Sequence, residues 1–178
     1  VGGVLILDFG SQTTQLIARR VRELNVYSAI VPYNVAPAEV ARRQPAALIL
    51  SGGPASLSDP LAPRADPGIL ALGLPVLGIC YGLQWIASAL GGRVECVSAR
   101  EFGRAELEVL DASDLLSPLG LGRHPVWMSH GDQVTQIPPG FRVLARTSSC
   151  PHAAIGHAGR KILGVQFHPE VVHTSRGG

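Results

Sequence analysis

The sequence predicts an α/β domain: an open, mixed and mainly parallel sheet flanked by helices, with a nucleophile elbow at the end of one strand. Three observations carry that expectation. Short apolar runs rich in strand formers alternate with helical patterns through roughly the first half of the chain, which implies parallel pairing through right-handed crossovers and a sheet covered on both faces. The second half breaks into short strand candidates separated by Gly, Pro and Ser turns, an antiparallel or mixed extension of the same sheet. Between the two lies "GICYG", residues 78–82, a G-x-nucleophile-x-G pattern where an apolar strand meets a helix.

The elements follow in order. "VLILDFG", 4–10, is a strand ending in Asp8 and Gly10, and "TTQLIARRVRELN" sets Leu16, Ile17, Val21 and Leu24 at helical spacing. "YSAIVPY" reads as a strand, "PAEVARRQ" as a helix opening at Pro37, "AALILSGG" as a strand, "DPGILALG" as a helix, "PVLGIC" as a strand and "GLQWIASALG" as a helix beginning near Tyr81. Then come "RVECVS", "RAELEVL", "PVWMSHGDQV", "FRVLART", "AAIGHAG" and "KILGVQFHPE" as short strands. One domain accounts for residues 1–178, with Gly177 and Gly178 reading as a flexible end of a piece cut from something longer.

Composition narrows the function classes. A formal charge of +2 comes with scattered arginines rather than a basic block, which makes no case for nucleic acid or a membrane surface as partner. The apolar runs are too short to cross a bilayer and no basic-then-apolar leader opens the chain, so the expectation is a cytoplasmic protein. The 3 cysteines, Cys80, Cys96 and Cys150, have neither disulfide-framework nor zinc-ligand spacing, and no two histidines share a metal-binding spacing. No metal site is expected, and a catalytic thiol stays open.

In an open α/β sheet, functional groups gather at the carboxyl ends of the strands. Three motifs fall there. In "GICYG" the flanking glycines permit a strained turn that pushes Cys80 outward, and the positive end of the following helix favours the attacking thiolate. "SGGP", 51–54, exposes backbone N–H groups able to hold the oxyanion of a tetrahedral intermediate. "VQFHPE", 165–170, sets His168 and Glu170 two apart on extended backbone, a base with an orienting carboxylate. Each motif alone also fits a plain structural role: a buried inert thiol, a turn before Pro54, a surface His-Pro-Glu turn. Together they supply nucleophile, base with orienter, and oxyanion donors. His130 stands among Ser129, Gly131 and Asp132, which together suit the lining of a substrate pocket, whereas Cys96 and Cys150 read as structural or incidental.

With these residues in place, the chain resembles the class I (triad) glutamine amidotransferases, a flavodoxin-like fold. "SGGP", "GICYGLQ" and "QFHPE" occur in that family's order, and the resemblance spans essentially the whole chain. "ILDFGSQTTQLIARRVRE", "REFGRAELEV", "WMSHGDQV" and "HPEVVHT" are similar to the glutaminase domains of GMP synthases in particular. The resemblance implies that Cys80 attacks the side-chain amide of glutamine, His168 shuttles protons and Glu170 orients it. It further implies that the peptide N–H groups of Gly53 and Tyr81 bind the oxyanion, and that Gln84, Gly131 and Asp132 hold the substrate.

Fused members of that group continue into an ATP-pyrophosphatase domain with a Ser-Gly-Gly phosphate loop, and then a dimerisation region. The "SGG" at Ser51 lacks the continuation such a loop needs. The resemblance therefore implies no cofactor in this domain, ATP and Mg²⁺ in the synthetase domain, and an XMP-aminating ATP-pyrophosphatase partner in the same longer chain or on a separate chain. Another amidotransferase glutaminase, or a γ-glutamyl hydrolase, is the alternative.

Overall fold

A computed structural model describes residues 2–178. The parallel half of the sheet is built from β1 (Val4–Asp8), β2 (Ser28–Pro32), β3 (Ala47–Leu50), β4 (Val76–Ile79) and β9 (Ile162–Val165), in the order β2-β1-β3-β4-β9. Beyond β9 the sheet continues antiparallel through β8 (Ala154–His157), β7 (Phe141–Arg146), β5 (Arg93–Val109) and β6 (Gly122–Gln136).

Helices cover this sheet because alternate strand residues are apolar on both faces, as a buried parallel sheet requires. Leu5 and Leu7 of β1 face a core shared with Val40, Leu83 and Ile86, contributed by α2 (Pro37–Arg43) and α3 (Tyr81–Ala89). Ile6 faces the opposite core with Ile17 and Ala18 of α1 (Thr14–Glu23). Among the described residues no helix is long and apolar enough to cross a membrane.

Helix boundaries obey local chemistry. α2 opens with Pro37, whose missing N–H costs nothing at that position, and closes at Gln44 in left-handed backbone with φ 48°. α1 ends at Glu23, and Leu24, expected on its apolar face, is 67% exposed at the cap. "DPGILALG" is no α-helix: it forms a short 3-10 turn, Pro67–Ala71, held by the Asp66 carboxylate accepting from the Gly68 N–H at 2.8 Å. Two glycines and a proline within eight residues are too poor in helix formers to propagate further.

The antiparallel half is more continuous than its sequence suggests. "RVECVS" and "RAELEVL" are one 17-residue strand, β5, paired along β6 with a register shift between Cys96 and Glu101. Parallel register brings the important strand ends level. Leu7 lies beside Leu50, Leu50 beside Gly78, and Ile79 beside Val165. Phe9, Ser51, Cys80 and Gln166 therefore emerge at one edge.

Candidate active site

The turn between β4 and α3 is made possible by close backbone approach. A Cβ at Gly78 would lie 2.7 Å from the backbone of Gly82, and one at Gly82 would lie 2.3 Å from the Leu50 carbonyl oxygen. Cys80, between them, has φ 52° and ψ −106°, a conformation unfavourable for a residue with a side chain. Neighbouring groups hold it there: the Cys80 N–H donates to the Val165 carbonyl at 2.8 Å and its own carbonyl accepts from the Gln84 N–H at 3.2 Å. The elbow thus aims Sγ at the strand ends while α3 begins at Tyr81. The buried Tyr81 hydroxyl anchors that start by donating to the Pro63 carbonyl at 2.6 Å.

Three side chains converge beside the elbow. His168 lies beside Cys80 across the Gly52 backbone, and its Nδ1 lies 2.7 Å from Glu170 Oε1, while the Cys80 thiol itself donates to the Ser129 carbonyl at 3.6 Å. Burial alone would drive the imidazole down, but the neighbouring Cys80 thiol and the hydrogen-bonded Glu170 carboxylate outweigh it and push His168 up to about 10. Cys80, His168 and Glu170 are at most 9% exposed. His168 and Thr13 both meet Glu170 Oε1, whereas Glu170 Oε2 is buried with no hydrogen-bond partner among the described residues.

Residues that sequence reasoning missed hold this set in place. Thr13 Oγ1 donates to Glu170 Oε1 at 2.7 Å, and Arg20 Nε donates to the Glu170 carbonyl at 3.1 Å. His168 N–H donates to the Trp127 carbonyl of β6 at 2.9 Å, while Thr174 Oγ1 donates to the His168 carbonyl at 2.6 Å. Gln166, wholly buried, points its amide nitrogen at Cys80 Sγ, 3.5 Å away. The amide orientations follow from a chain of acceptors. The Asp132 carbonyl can only accept, so the Gln84 nitrogen faces it at 3.0 Å; that nitrogen also meets Gln166 Oε1 at 3.3 Å, which turns the Gln166 nitrogen toward sulfur.

The "SGGP" loop lies against the same centre. Ser51 Oγ accepts from the Phe9 N–H at 2.9 Å and donates to the Gly52 carbonyl at 2.8 Å, tying the loop to the end of β1. A Cβ at Gly52 would sit 3.2 Å from His168 Cε1 and 3.5 Å from Cys80 Cβ, so the loop faces the gap between thiol and imidazole. At Gly53 a Cβ would meet the Phe9 carbonyl oxygen at 2.5 Å. Only glycine lets that backbone approach. The Tyr81 N–H lies in the first turn of α3, where helix donors have no partner within the helix.

Cys80 borders two clefts. One, of about 460 Å³, is lined by Gly53, Ser56, Gln84, Arg100, Gly131 and Asp132 among others. The second, of about 400 Å³, opens on the His168 side between the Gly10–Thr13 loop, Trp127 and Val171. A larger hollow of about 710 Å³ lies at the opposite ends of the strands, away from this chemistry. Gln84, Gly131 and Asp132 thus share a cleft with Cys80. Within it, Gln84 uses its amide nitrogen to brace Asp132, and the Asp132 carboxylate accepts from Ser56.

A separate trio, Glu101, His130 and Cys150, brings its ligand-type atoms within 4.8 Å of one another. It is engaged internally. His130 sets Nε2 3.1 Å from Glu101 and Nδ1 3.1 Å from the Asp132 carbonyl, and Thr147 donates to Glu101 at 2.8 Å. Burial would raise the Glu101 carboxyl, but hydrogen bonds from His130, Ser149 and Thr147 hold it below the usual range. Burial pushes the Cys150 thiol up to about 12, which leaves it unreactive at neutral pH. His130, read from sequence as a pocket residue, borders the cleft but spends both ring nitrogens supporting its wall.

Comparison with known proteins agrees with this geometry. Residues 5–178 match the family described as glutamine amidotransferase class-I. GMP synthase [glutamine-hydrolyzing] of Parafrankia sp. is 56% identical over 174 residues, and that of Allorhizobium ampelinum 57% over 176. Each comparison covers 98% of this chain but 32% and 34% of the relative, so the chain spans about a third of the length of these curated relatives. The crystal structure of a protein assigned as a GMP synthase subunit from Thermoplasma acidophilum superposes with a TM-score of 0.89 at 31% identity, covering 99% of this chain and 88% of that one. A glutamine amidotransferase from Thermotoga maritima shares the fold, with a TM-score of 0.76 at 22% identity over 96% of this chain and 76% of its own. A family match across nearly the whole chain, on a fold that sets a strained cysteine beside a buried His–Glu pair, establishes that this chain belongs to the class-I glutamine amidotransferase family.

Proposed function

We propose that this chain hydrolyses the side-chain amide of glutamine and supplies the ammonia for amination of XMP to GMP by an ATP-pyrophosphatase partner, fused or separate. The observation that carries the reading is the strained Cys80 on the elbow beside a buried, hydrogen-bonded His168–Glu170 pair. The names of the long relatives, which include "glutamine-hydrolyzing", support the choice of substrate.

The residues divide the work as follows. Cys80 thiolate attacks the amide carbon, and the negative charge that develops on oxygen is met by the N–H groups of Gly53 and Tyr81. Imidazolium His168 gives its proton to the departing nitrogen, ammonia leaves, and a γ-glutamyl thioester remains on Cys80. Neutral His168 then takes a proton from water, whose oxygen attacks the thioester and releases glutamate and the thiolate. Glu170 holds the ring through Nδ1 and stabilises its charged form. Gln84, Gly131 and Asp132 shape the cleft that receives the amino-acid end.

The test supplies an ATP-pyrophosphatase domain, XMP, ATP and Mg²⁺ with either glutamine or ammonium as nitrogen source. GMP formation from glutamine should require this chain and fail with Cys80→Ala, while formation from ammonium proceeds with both. If ammonium supports GMP formation but glutamine with the intact chain does not, the reading is wrong.

A further inference from the structure

The cleft beside Cys80 carries two opposite charges across one glycine. Asp132 stands on one side of Gly131, its carboxylate fixed by Ser56 of the facing loop. Arg100 stands on the other. The register shift in β5 between Cys96 and Glu101 releases Arg100 from regular pairing, as bulges commonly do when they redirect a side chain. Its side chain then lies over Gly131, where a Cβ would be 3.7 Å from Arg100 Cδ and Nε.

The guanidinium is poorly used where it stands. Its hydrogen bond goes to Cys96 Sγ at 3.7 Å, a weak acceptor, and among the described residues no carboxylate lies within ion-pairing distance of it. By contrast Arg43 and Arg146 grip carboxylates at 2.7 Å. A planar fork of donors at the wall of a cleft matches a carboxylate in bidentate fashion, and Asp132 opposite matches an ammonium. Such a pair of charges complements the zwitterionic head of an α-amino acid.

Building on the glutaminase reading, we infer that Arg100 binds the α-carboxylate of the substrate and makes the cleft specific for a free amino acid over an amide that lacks that head. Arg100 is exposed and bonded to little else, so its substitution leaves the fold intact.

The test compares two electrophiles on the full chain and on Arg100→Gln and Arg100→Lys. One is a diazoketone analogue of glutamine that keeps the α-amino acid head; the other is iodoacetamide, which has none. Peptide mass mapping reads the rate of modification at Cys80. Arg100→Gln should slow the headed analogue by roughly 10- to 100-fold, the size expected when a charge-assisted contact is lost, and leave iodoacetamide unchanged. Arg100→Lys should recover part of the loss. If the unaltered chain reacts with both reagents and Arg100→Gln keeps the headed analogue's rate, or slows both reagents equally, the Arg100 assignment alone fails. If the unaltered chain takes iodoacetamide at Cys80 but never the headed analogue, the glutamine reading fails and the assignment falls with it.

Discussion

Substituting Cys80 by glycine and by alanine tests whether the elbow is strained. With φ 52° and ψ −106°, any residue carrying a Cβ is in a costly conformation at this position, by about 1–3 kcal/mol, whereas glycine is not. At an unstrained buried site, alanine-to-glycine replacement loses about 0.8 kcal/mol of methyl burial and about 0.5–1 kcal/mol of backbone entropy, roughly 1.5 kcal/mol together. At Cys80 the relief of strain offsets that loss, so Cys80→Gly should be as stable as Cys80→Ala or more so. The assay is urea and thermal unfolding of the two variants side by side. For a domain of this size ~1.5 kcal/mol corresponds to about 3–6 °C in Tm. A Cys80→Gly variant melting about that far below Cys80→Ala would refute the strained elbow.

Further outcomes follow from the same geometry. His168 is raised from its ordinary value of 6.5 to about 10, so its contribution to stability is complete below 6.5 and is lost as pH rises through about 10; NMR of the ring should show no titration near neutrality, and a step near 6.5 would contradict the ion pair. The same experiment on Cys80→Ala should find the ring titrating lower, because the neighbouring Cys80 is the largest influence raising it. Thr13→Val removes the 2.7 Å bond to buried Glu170 and should cost about 1.5–3 kcal/mol in denaturant unfolding, with Thr13→Ser recovering most of it. Gly82→Ala, whose Cβ would fall 2.3 Å from the Leu50 carbonyl, should destabilise by about 2–4 kcal/mol, whereas Gly131→Ala, with its nearest neighbour at 3.7 Å, should unfold near the parent midpoint.

What the sequence made legible were features with a local signature. Alternating apolar runs located the parallel strands, and Gly-x-Cys-x-Gly announced a turn in which the glycines are required by backbone contacts at Leu50 and within the elbow itself. The order of "SGGP", "GICYG" and "QFHPE" matched the order of three strand ends that the sheet brings level. Thr13 and Glu170 are 157 residues apart, and Gln166 and Cys80 are 86 apart; a hydroxyl or amide that acts at such separation leaves no periodicity or spacing to read. The inward turn of His130 is hidden for the same reason, since Glu101 reaches it across a β5–β6 pair whose register depends on an irregularity. Leu24 misled because helical spacing continues one residue past the point where the backbone stops.

The most direct measurement follows glutamate, free ammonia and GMP formed from glutamine by the chain and by Cys80→Ala, in the presence of the synthetase partner and its substrates. Glutamate formed by the intact chain should equal the sum of free ammonia and GMP, with none above background from Cys80→Ala. Undiminished release by Cys80→Ala would show that the thiol on the elbow is not the nucleophile.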